Sequence, residues 1–169
     1  KLGEKYLICP WIGNEYRTVE GYRKAAKILT EAGKKIADAG LVCCYHNHSF
    51  EWEKLDGGTT GMQILFEESD PKYVHSELDV YWVTHGGDNP IDWMNKLKGR
   101  VPLLHIKDMN KDTRKFTEVG TGCIDMKTIV QHAPTVGVTH FMLEQDNEWT
   151  GSPLESVRTS FTNFSKIAG

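Results

Sequence analysis

The stretch LLHIKD at residues 103–108 is an apolar run that ends in side chains able to bind a metal. Three other apolar, β-rich runs end in the same way, at YHNHSFE (45–51), SELD (76–79) and FMLEQD (141–146). A divalent ion needs several carboxylate and imidazole ligands that converge from different elements. Parallel β/α units deliver such ligands, because every strand points its carboxyl end at the same edge. The repetition therefore predicts a parallel α/β fold with a metal site at the strand ends.

Segments of helical periodicity separate the apolar runs. Strands are predicted at 6–9, 41–45, within 74–83, at 101–106 and at 140–143, and helices at 15–39, 61–68, about 90–97, 125–133 and 153–167. Strands that alternate with helices imply a parallel sheet, either an open doubly wound sheet or a (β/α)8 barrel. Candidate ligands follow four of the five strands, whereas an open sheet concentrates its ligand at one switch point. The pattern favours the barrel. Because a complete barrel takes roughly 250 residues, the 169 residues are predicted to be a partial TIM-type barrel.

Composition excludes several classes of protein. The hydrophobic share of 39% and the charged share of 25% are ordinary for a globular protein with a packed core. The formal net charge is −3 and Lys and Arg form no cluster, which argues against a nucleic-acid partner. No apolar run approaches the roughly 20 residues of a membrane span. The four cysteines are interpreted as apolar fillers and leave the cytoplasm and the periplasm equally open as the compartment.

Candidate site residues follow from the alternation of side chains along a strand. Asp79 lies on the same face as Glu77, and buried carboxylates require a cation or hydrogen-bond donors. His105 and Lys107 share a face between Leu104 and Ile106, and an inward ammonium needs an anionic or polyhydroxyl partner. These positions predict a charged site at the strand ends. Glu144 closes the last strand, where a structural salt bridge is the alternative role.

The densest cluster lies at residues 45–52. His46 and His48 alternate onto one face, and Glu51 follows just beyond. The pattern alone does not select which of the three contacts a metal. Trp11 and Trp82 also follow strand ends, where their rings can stack on the C–H surface of a sugar. Gly120-Thr121-Gly122 lacks the lysine of a phosphate-binding loop and is interpreted as a loop that closes over the site.

The order of YHNHSFE, ELDVYW, LLHIKDMN, EVGTGCIDM and FMLEQD resembles the xylose isomerase-like TIM-barrel superfamily of sugar phosphate isomerases/epimerases. The resemblance implies that the chain is the C-terminal portion of one barrel domain, residues 1–169, covering about strands 4–8. It also implies a divalent ion (Mn, Mg, Co or Zn) held by Asp79, His105 and Glu144. The family's first glutamate is absent from the end of LVCCYH. The site prediction therefore takes His48 as the fourth ligand and leaves His46 and Glu51 open.

The resemblance implies a metal-dependent sugar isomerase or epimerase, or a related lyase, acting on a sugar or polyol. The ion would stabilise an enediolate, Glu144 or else Glu51 would remove the carbon-bound proton, and Lys107 would stabilise the oxyanion. His46, Trp82, Trp11 and Asp108 are assigned to substrate binding. The alternatives are a non-catalytic sugar-binding relative and an apurinic endonuclease-like hydrolase, the latter disfavoured by the net charge. We expect a homo-oligomer or a missing N-terminal barrel half to cover the open strand edges.

Overall fold

Seven strands within the described part of the chain form a five-stranded sheet and a small hairpin. The computed structural model describes residues 3–169. The strands are β1 (Tyr6–Cys9), β2 (Val42–His46), β3 (His75–Asp79), β4 (Leu103–Ile106), β5 (Asp108–Met109), β6 (Phe116–Thr117) and β7 (His140–Leu143). β5 and β6 pair antiparallel, and the large sheet has the order β1-β2-β3-β4-β7. The large sheet is parallel and follows chain order, as in a (β/α)8 barrel, whereas a doubly wound sheet reverses its order at a switch point. The prediction of a partial parallel barrel is therefore confirmed.

The chain packs as two compact units, one ending at Glu77 and the other beginning at Leu78. In the first unit, β1 pairs with β2, and β2 pairs with β3 in a register that places His46 opposite Glu77. Helix α1 (Val19–Asp38) begins at Thr18, whose side chain accepts a hydrogen bond from Gly21 N at 3.0 Å. It packs on α2 (Gly61–Glu68) through a close approach at Gly61, where a Cβ atom would lie 2.1 Å from the Tyr22 ring. Glycine is therefore required at this crossing.

The second unit starts with the last two residues of β3. Its helices are α3 (Val80–His85), α4 (Pro90–Lys96), α5 (Met126–Val136) and α6 (Pro153–Ala168). β4 pairs with β7 in parallel, with His105 opposite Met142 and Ile106 opposite Leu143. This register brings the residues just after both strands to the same end of the pair. The core of the unit contains Leu78, Met94, Leu104 and Ile106, each fully buried.

The elements differ from the sequence prediction at several places. Helix α3 was not predicted: β3 ends at Asp79 and α3 follows it directly, within the range 74–83 that was assigned only a strand. The predicted helix at 15–39 is split into a 3₁₀ turn at Asn14–Tyr16 and α1. Helix α5 continues to Val136 with Pro134 in its last turn, and Gly137 ends it in the left-handed conformation. The hairpin of β5 and β6 was not predicted, because strands of two residues show no periodicity. Within residues 3–169, no helix combines the length and the apolar character that crossing a membrane requires.

Candidate metal centre

Asp79 combines two tasks at the end of β3. Its Oδ1 accepts a hydrogen bond from Trp82 N at 3.1 Å and so caps α3. Its Oδ2 lies 3.6 Å from His105 Nδ1 and 3.4 Å from Lys107 Nζ. The side chain is fully buried. Asp79 therefore caps α3 and also makes the charged contacts expected of a metal ligand.

Glu144 completes the cluster from the end of β7. Its Oε2 lies 3.2 Å from His105 Nδ1 and 2.8 Å from Lys107 Nζ. Asp146 Oδ2 accepts a hydrogen bond from Lys107 Nζ at 3.1 Å. The three carboxylates, the imidazole and the ammonium thus meet at the carboxyl ends of β3, β4 and β7. Three of the predicted ligands, Asp79, His105 and Glu144, are brought together with Lys107.

The charges of the cluster shift the protonation of its members. Hydrogen bonding to His105 and Lys107 lowers the pKa of Glu144 to about 2, although its partial burial opposes the shift. Burial alone would lower the pKa of Lys107, but the Asp79, Glu144 and Asp146 carboxylates outweigh it and raise that pKa above its usual range. Both shifts favour the charged forms. Glu144 is therefore a carboxylate and Lys107 an ammonium over the physiological pH range.

The donor set fits a divalent cation. Carboxylate oxygens and an imidazole nitrogen are ligands that zinc and manganese accept. Three formal carboxylates around one ammonium leave two negative charges, and two charges are what a divalent ion supplies. Lys107 contacts the same oxygens of Asp79 and Glu144 that face His105. The ammonium therefore neutralises part of the charge and leaves the remainder for an ion.

In the first unit, the candidates of the 45–51 segment have different surroundings. His46 ends β2 and is buried, and its ring meets the His48 ring edge-on at 4.8 Å. His48 also contacts the rings of Trp11 at 4.5 Å and Phe50 at 5.7 Å. Trp11 is half exposed. His48 thus belongs to an aromatic cluster beyond the strand end, whereas His46 occupies the strand end itself.

Glu51 is fully buried in the same unit. Its Oε1 accepts a hydrogen bond from Tyr45 OH at 2.7 Å, and its Oε2 accepts one from His48 N at 2.9 Å. Burial raises its pKa to about 8, although these hydrogen bonds oppose the rise. Both oxygens hold the turn that carries His48. The assignment of Glu51 as a base or ligand stays a prediction, and this geometry gives it a local structural role as well.

Asp108, predicted to bind substrate, organises a loop. Its Oδ1 accepts hydrogen bonds from the backbone N–H of Met109 and Ile124, and its Oδ2 from those of Gly120 and Gly122, at 2.8–3.2 Å. Burial raises the pKa of this carboxyl, and the four donors oppose the rise. A Cβ atom on Gly122 would lie 2.2 Å from Oδ1, so the loop fits only around glycine.

The same loop is also tied to α6. Glu118 accepts hydrogen bonds from Ser156 Oγ at 2.5 Å and from Thr150 N at 2.9 Å, which lower its pKa. Val119 N donates to Ser160 Oγ at 3.1 Å. These contacts hold the 118–122 segment against α6, and its role as a loop that closes over the site stays a prediction.

Sequence reasoning assigned no role to two residues beside the cluster. Asp146 contacts Lys107 directly, and its spacing two residues beyond Glu144 was the available signal. Phe116 lies on β6 with its ring centroid 5.8 Å from Lys107 Nζ, about as near as Trp82 at 6.0 Å. The unpredicted hairpin carries it there. Trp82 itself, predicted to bind substrate, lies on α3 and is half-buried.

A sequential parallel α/β sheet with carboxylates and an imidazole at its strand ends defines a scaffold of the (β/α)8-barrel type. The chain belongs to the xylose isomerase-like TIM barrel family, whose sequence model matches residues 1–164. Among curated proteins it is similar to inosose dehydratase of Clostridium beijerinckii, with 26% identity over 134 residues, or 69% of this chain and 44% of the relative. Inosose dehydratase of Geobacillus kaustophilus is 29% identical over 133 residues, 66% of this chain and 38% of the relative. The chain thus spans about two fifths of the length of these relatives.

Solved structures show the same fold. A sugar phosphate isomerase/epimerase from Parabacteroides distasonis superposes with a TM-score of 0.87 at 26% identity, covering 99% of this chain and 60% of that one. The IOLI protein with a bound zinc atom superposes with a TM-score of 0.72 at 17% identity, covering 99% of this chain and 64% of that one. At that identity the second likeness concerns the fold alone.

Proposed function

We propose that this protein is a metal-dependent enzyme that removes a proton next to the carbonyl of a sugar or cyclic polyol. The observation that carries the proposal is the cluster of Asp79, His105, Lys107 and Glu144 at the ends of three neighbouring strands. Membership of the xylose isomerase-like family and the similarity to inosose dehydratases support the class of substrate.

The proposed ligands are Asp79, His105, Glu144 and one residue of the 46–51 segment. Within that segment we favour His46 over His48 and Glu51, because His46 is the residue that ends strand β2. His48 packs among aromatic rings, and both Glu51 oxygens accept hydrogen bonds. Mn, Mg, Co and Zn are the candidate ions. When bound, such an ion polarises a carbonyl and stabilises an adjacent enediolate by Lewis-acid action.

The side chains of the cluster supply the proton transfer. Glu144 has a carboxylate that is 44% exposed, so a substrate C–H group can reach it. Lys107 Nζ lies 2.8 Å from Glu144 and 3.1 Å from Asp146, and its longer 3.4 Å contact with Asp79 is the one that a substrate oxygen would replace. An ammonium fixed in this way stabilises negative charge as it develops on that oxygen. Glu144 thus takes the proton while Lys107 lowers the energy of the resulting anion.

Two reactions share this first step. In an isomerase, the proton returns to the neighbouring carbon, whereas in an epimerase a second acid would deliver a proton to the opposite face of the same carbon while Glu144 keeps the one it removed. In a dehydratase, the electron pair of the enediolate instead forms a C=C bond and expels the β-hydroxyl, which leaves as water after protonation. The names of the curated relatives favour elimination from an inosose as the second candidate.

The test is solvent exchange. The metal content of the purified protein is measured, and the protein is then incubated in D2O with an inosose and with a panel of ketoses. NMR reports the replacement of C–H by C–D, and mass spectrometry reports a loss of water. Glu144→Gln should hold the metal more weakly, because Glu144 is also a proposed ligand, and it should lose exchange even at saturating metal. The control Glu148→Gln, which removes only an exposed pair with Lys115, should retain both.

The results separate the proposal from its rivals. A protein that binds a sugar but exchanges no proton would be a non-catalytic relative. Cleavage of a duplex with an abasic site would identify the endonuclease alternative. Absence of stoichiometric metal, with no change on Asp79→Asn, would leave a salt-bridged cluster without catalysis.

A further inference from the structure

An aromatic cluster adjoins Lys107 in the second unit. It consists of Tyr81, Trp82, His85 and Phe116. The Phe116 ring stacks on Tyr81 with centroids 4.3 Å apart and planes 28° apart, and it stands perpendicular to Trp82 at 5.6 Å. Tyr81 and Trp82 meet edge-on at 4.8 Å. These are the offset-stacked and edge-to-face geometries that aromatic rings prefer, so the rings support one another in fixed orientations.

The backbone also fixes Phe116. Met109 and Phe116 are paired in the hairpin, and Asn110 N donates to Lys115 O at 2.9 Å to close it. Tyr81 OH donates to Arg114 O at 3.0 Å, and Arg114 Nη2 donates to His85 O at 2.9 Å. Residues at both ends of α3 thus bind the hairpin. The hairpin backbone therefore holds Phe116 in a fixed position beside Lys107.

The distance from Phe116 to Lys107 suits a polyol ring. An oxygen that accepts a hydrogen bond from Lys107 lies roughly 3 Å from Nζ, and its carbon lies a little further away. Because the Phe116 centroid is 5.8 Å from Nζ, such a carbon comes within ordinary contact distance of the ring. The ring is half-buried and so retains accessible surface. A sugar or cyclic polyol offers apolar C–H groups between its hydroxyls, and an aromatic face is complementary to them.

We propose that Phe116 is a substrate-binding residue whose ring contacts the C–H surface of the sugar or cyclic polyol held at Lys107 and Glu144. This inference rests on the proposed function and adds to it a residue that selects substrates by shape. The contact is present before and during the reaction. Phe116 therefore contributes to binding rather than to the chemical step.

The test compares Phe116→Leu and Phe116→Tyr with the control Phe141→Leu, which alters a ring that packs on Phe164 at 5.4 Å in the same unit. Turnover of an inosose gives kcat and KM, and calorimetry with the unreactive polyol myo-inositol gives Kd. Phe116→Leu should raise KM and Kd about three- to tenfold, the range expected for losing one aromatic stacking contact. Phe116→Tyr retains the ring and should stay within about twofold of wild type. In all three variants kcat and metal content should be unchanged.

Each outcome bears on the proposal. Unchanged KM and Kd in Phe116→Leu, or equal losses in Phe141→Leu, would overturn the role of Phe116 and leave the proposed function intact. A fall in kcat with unchanged KM would also overturn it. Failure of the wild-type protein to bind or turn over any inosose or ketose would instead refute the proposed function, and the role of Phe116 with it. If Phe116→Leu fails to fold, equal affinities of Phe116→Tyr and Phe116→Trp would still overturn the selection by shape, because the larger Trp must weaken binding.

Discussion

Replacing Lys107 with methionine removes the ammonium that three carboxylates share while retaining most of the apolar volume. Breaking a fully buried ion pair costs roughly 3–5 kcal/mol, because an uncompensated charge is left behind. Asp79 is fully buried, but the side chains of Glu144 and Asp146 are 44% and 39% exposed and regain water. We therefore expect Lys107→Met to lower the free energy of unfolding by about 2–3 kcal/mol in the metal-free protein. Lys115→Met is the matched control: its pair with Glu148 is exposed, so its loss should cost about 0.5 kcal/mol.

Metal should reverse much of this loss. A ligand that binds only the folded state, at about 100 times its dissociation constant, stabilises by about 2.7 kcal/mol. Three carboxylates without their ammonium attract a cation more strongly than the wild-type cluster does. Urea unfolding in EDTA and in Zn²⁺ or Mn²⁺ should therefore show a larger metal-dependent gain for Lys107→Met than for wild type. Equal losses for Lys107→Met and Lys115→Met in EDTA would refute the charge-sharing argument, and stabilisation of neither protein by metal would refute the ion site.

Three further substitutions test the carboxylates one at a time. Asp79→Asn keeps an oxygen for the α3 cap but removes the charge, so metal analysis should show at least about tenfold weaker retention; undiminished retention would exclude Asp79 as a ligand. At saturating metal, Glu144→Gln should slow proton exchange by about 10²–10⁴-fold, the usual contribution of a general base, and full exchange would assign the base elsewhere. Because folding lowers the pKa of Glu144 from 4.5 to about 2, its ionised carboxylate stabilises the fold above pH 4.5. The free energy of unfolding of the wild type should therefore fall as the pH drops from 4.5 towards 2. Glu144→Gln should lack this part of the fall. For Glu51 the pH dependence of stability has the opposite sign. Its pKa is raised from 4.5 to about 8, so between these values the folded state holds a proton that the unfolded state has released. The free energy of unfolding should therefore fall as the pH rises from 4.5 to 8. Thermal unfolding at pH 5 and pH 8 should show this fall in wild type and lack it in Glu51→Gln; an equal fall in both proteins would mean that Glu51 is ionised throughout.

The strands and their charged ends could be predicted because both depend on local sequence. An apolar run followed by His105 and Lys107 shows period-two alternation, and parallel strands bring such ends together whatever the loops do. The hairpin that carries Phe116 could not be predicted, since each of its strands has two residues and its position depends on Tyr81 and Arg114. Three of the four hydrogen-bond donors to Asp108 could not be predicted either, because they are backbone N–H groups 12–16 residues further along the chain. The type and spacing of side chains predict which groups a strand end carries. The hydrogen bonds that a side chain makes to distant backbone N–H groups depend on how the loops fold, which local sequence does not show.

The four hydrogen bonds to Asp108 have a consequence for amide exchange. The N–H groups of Gly120, Gly122 and Ile124 all point at one buried carboxylate, so none can exchange with solvent until that carboxylate is released. Amides that share one opening event exchange as a cooperative group with a common free energy of opening. The segment should therefore be protected to the same degree as the residues near the end of β4, although it has no regular secondary structure. In this protein, a stretch of irregular backbone would be among the slowest regions to open.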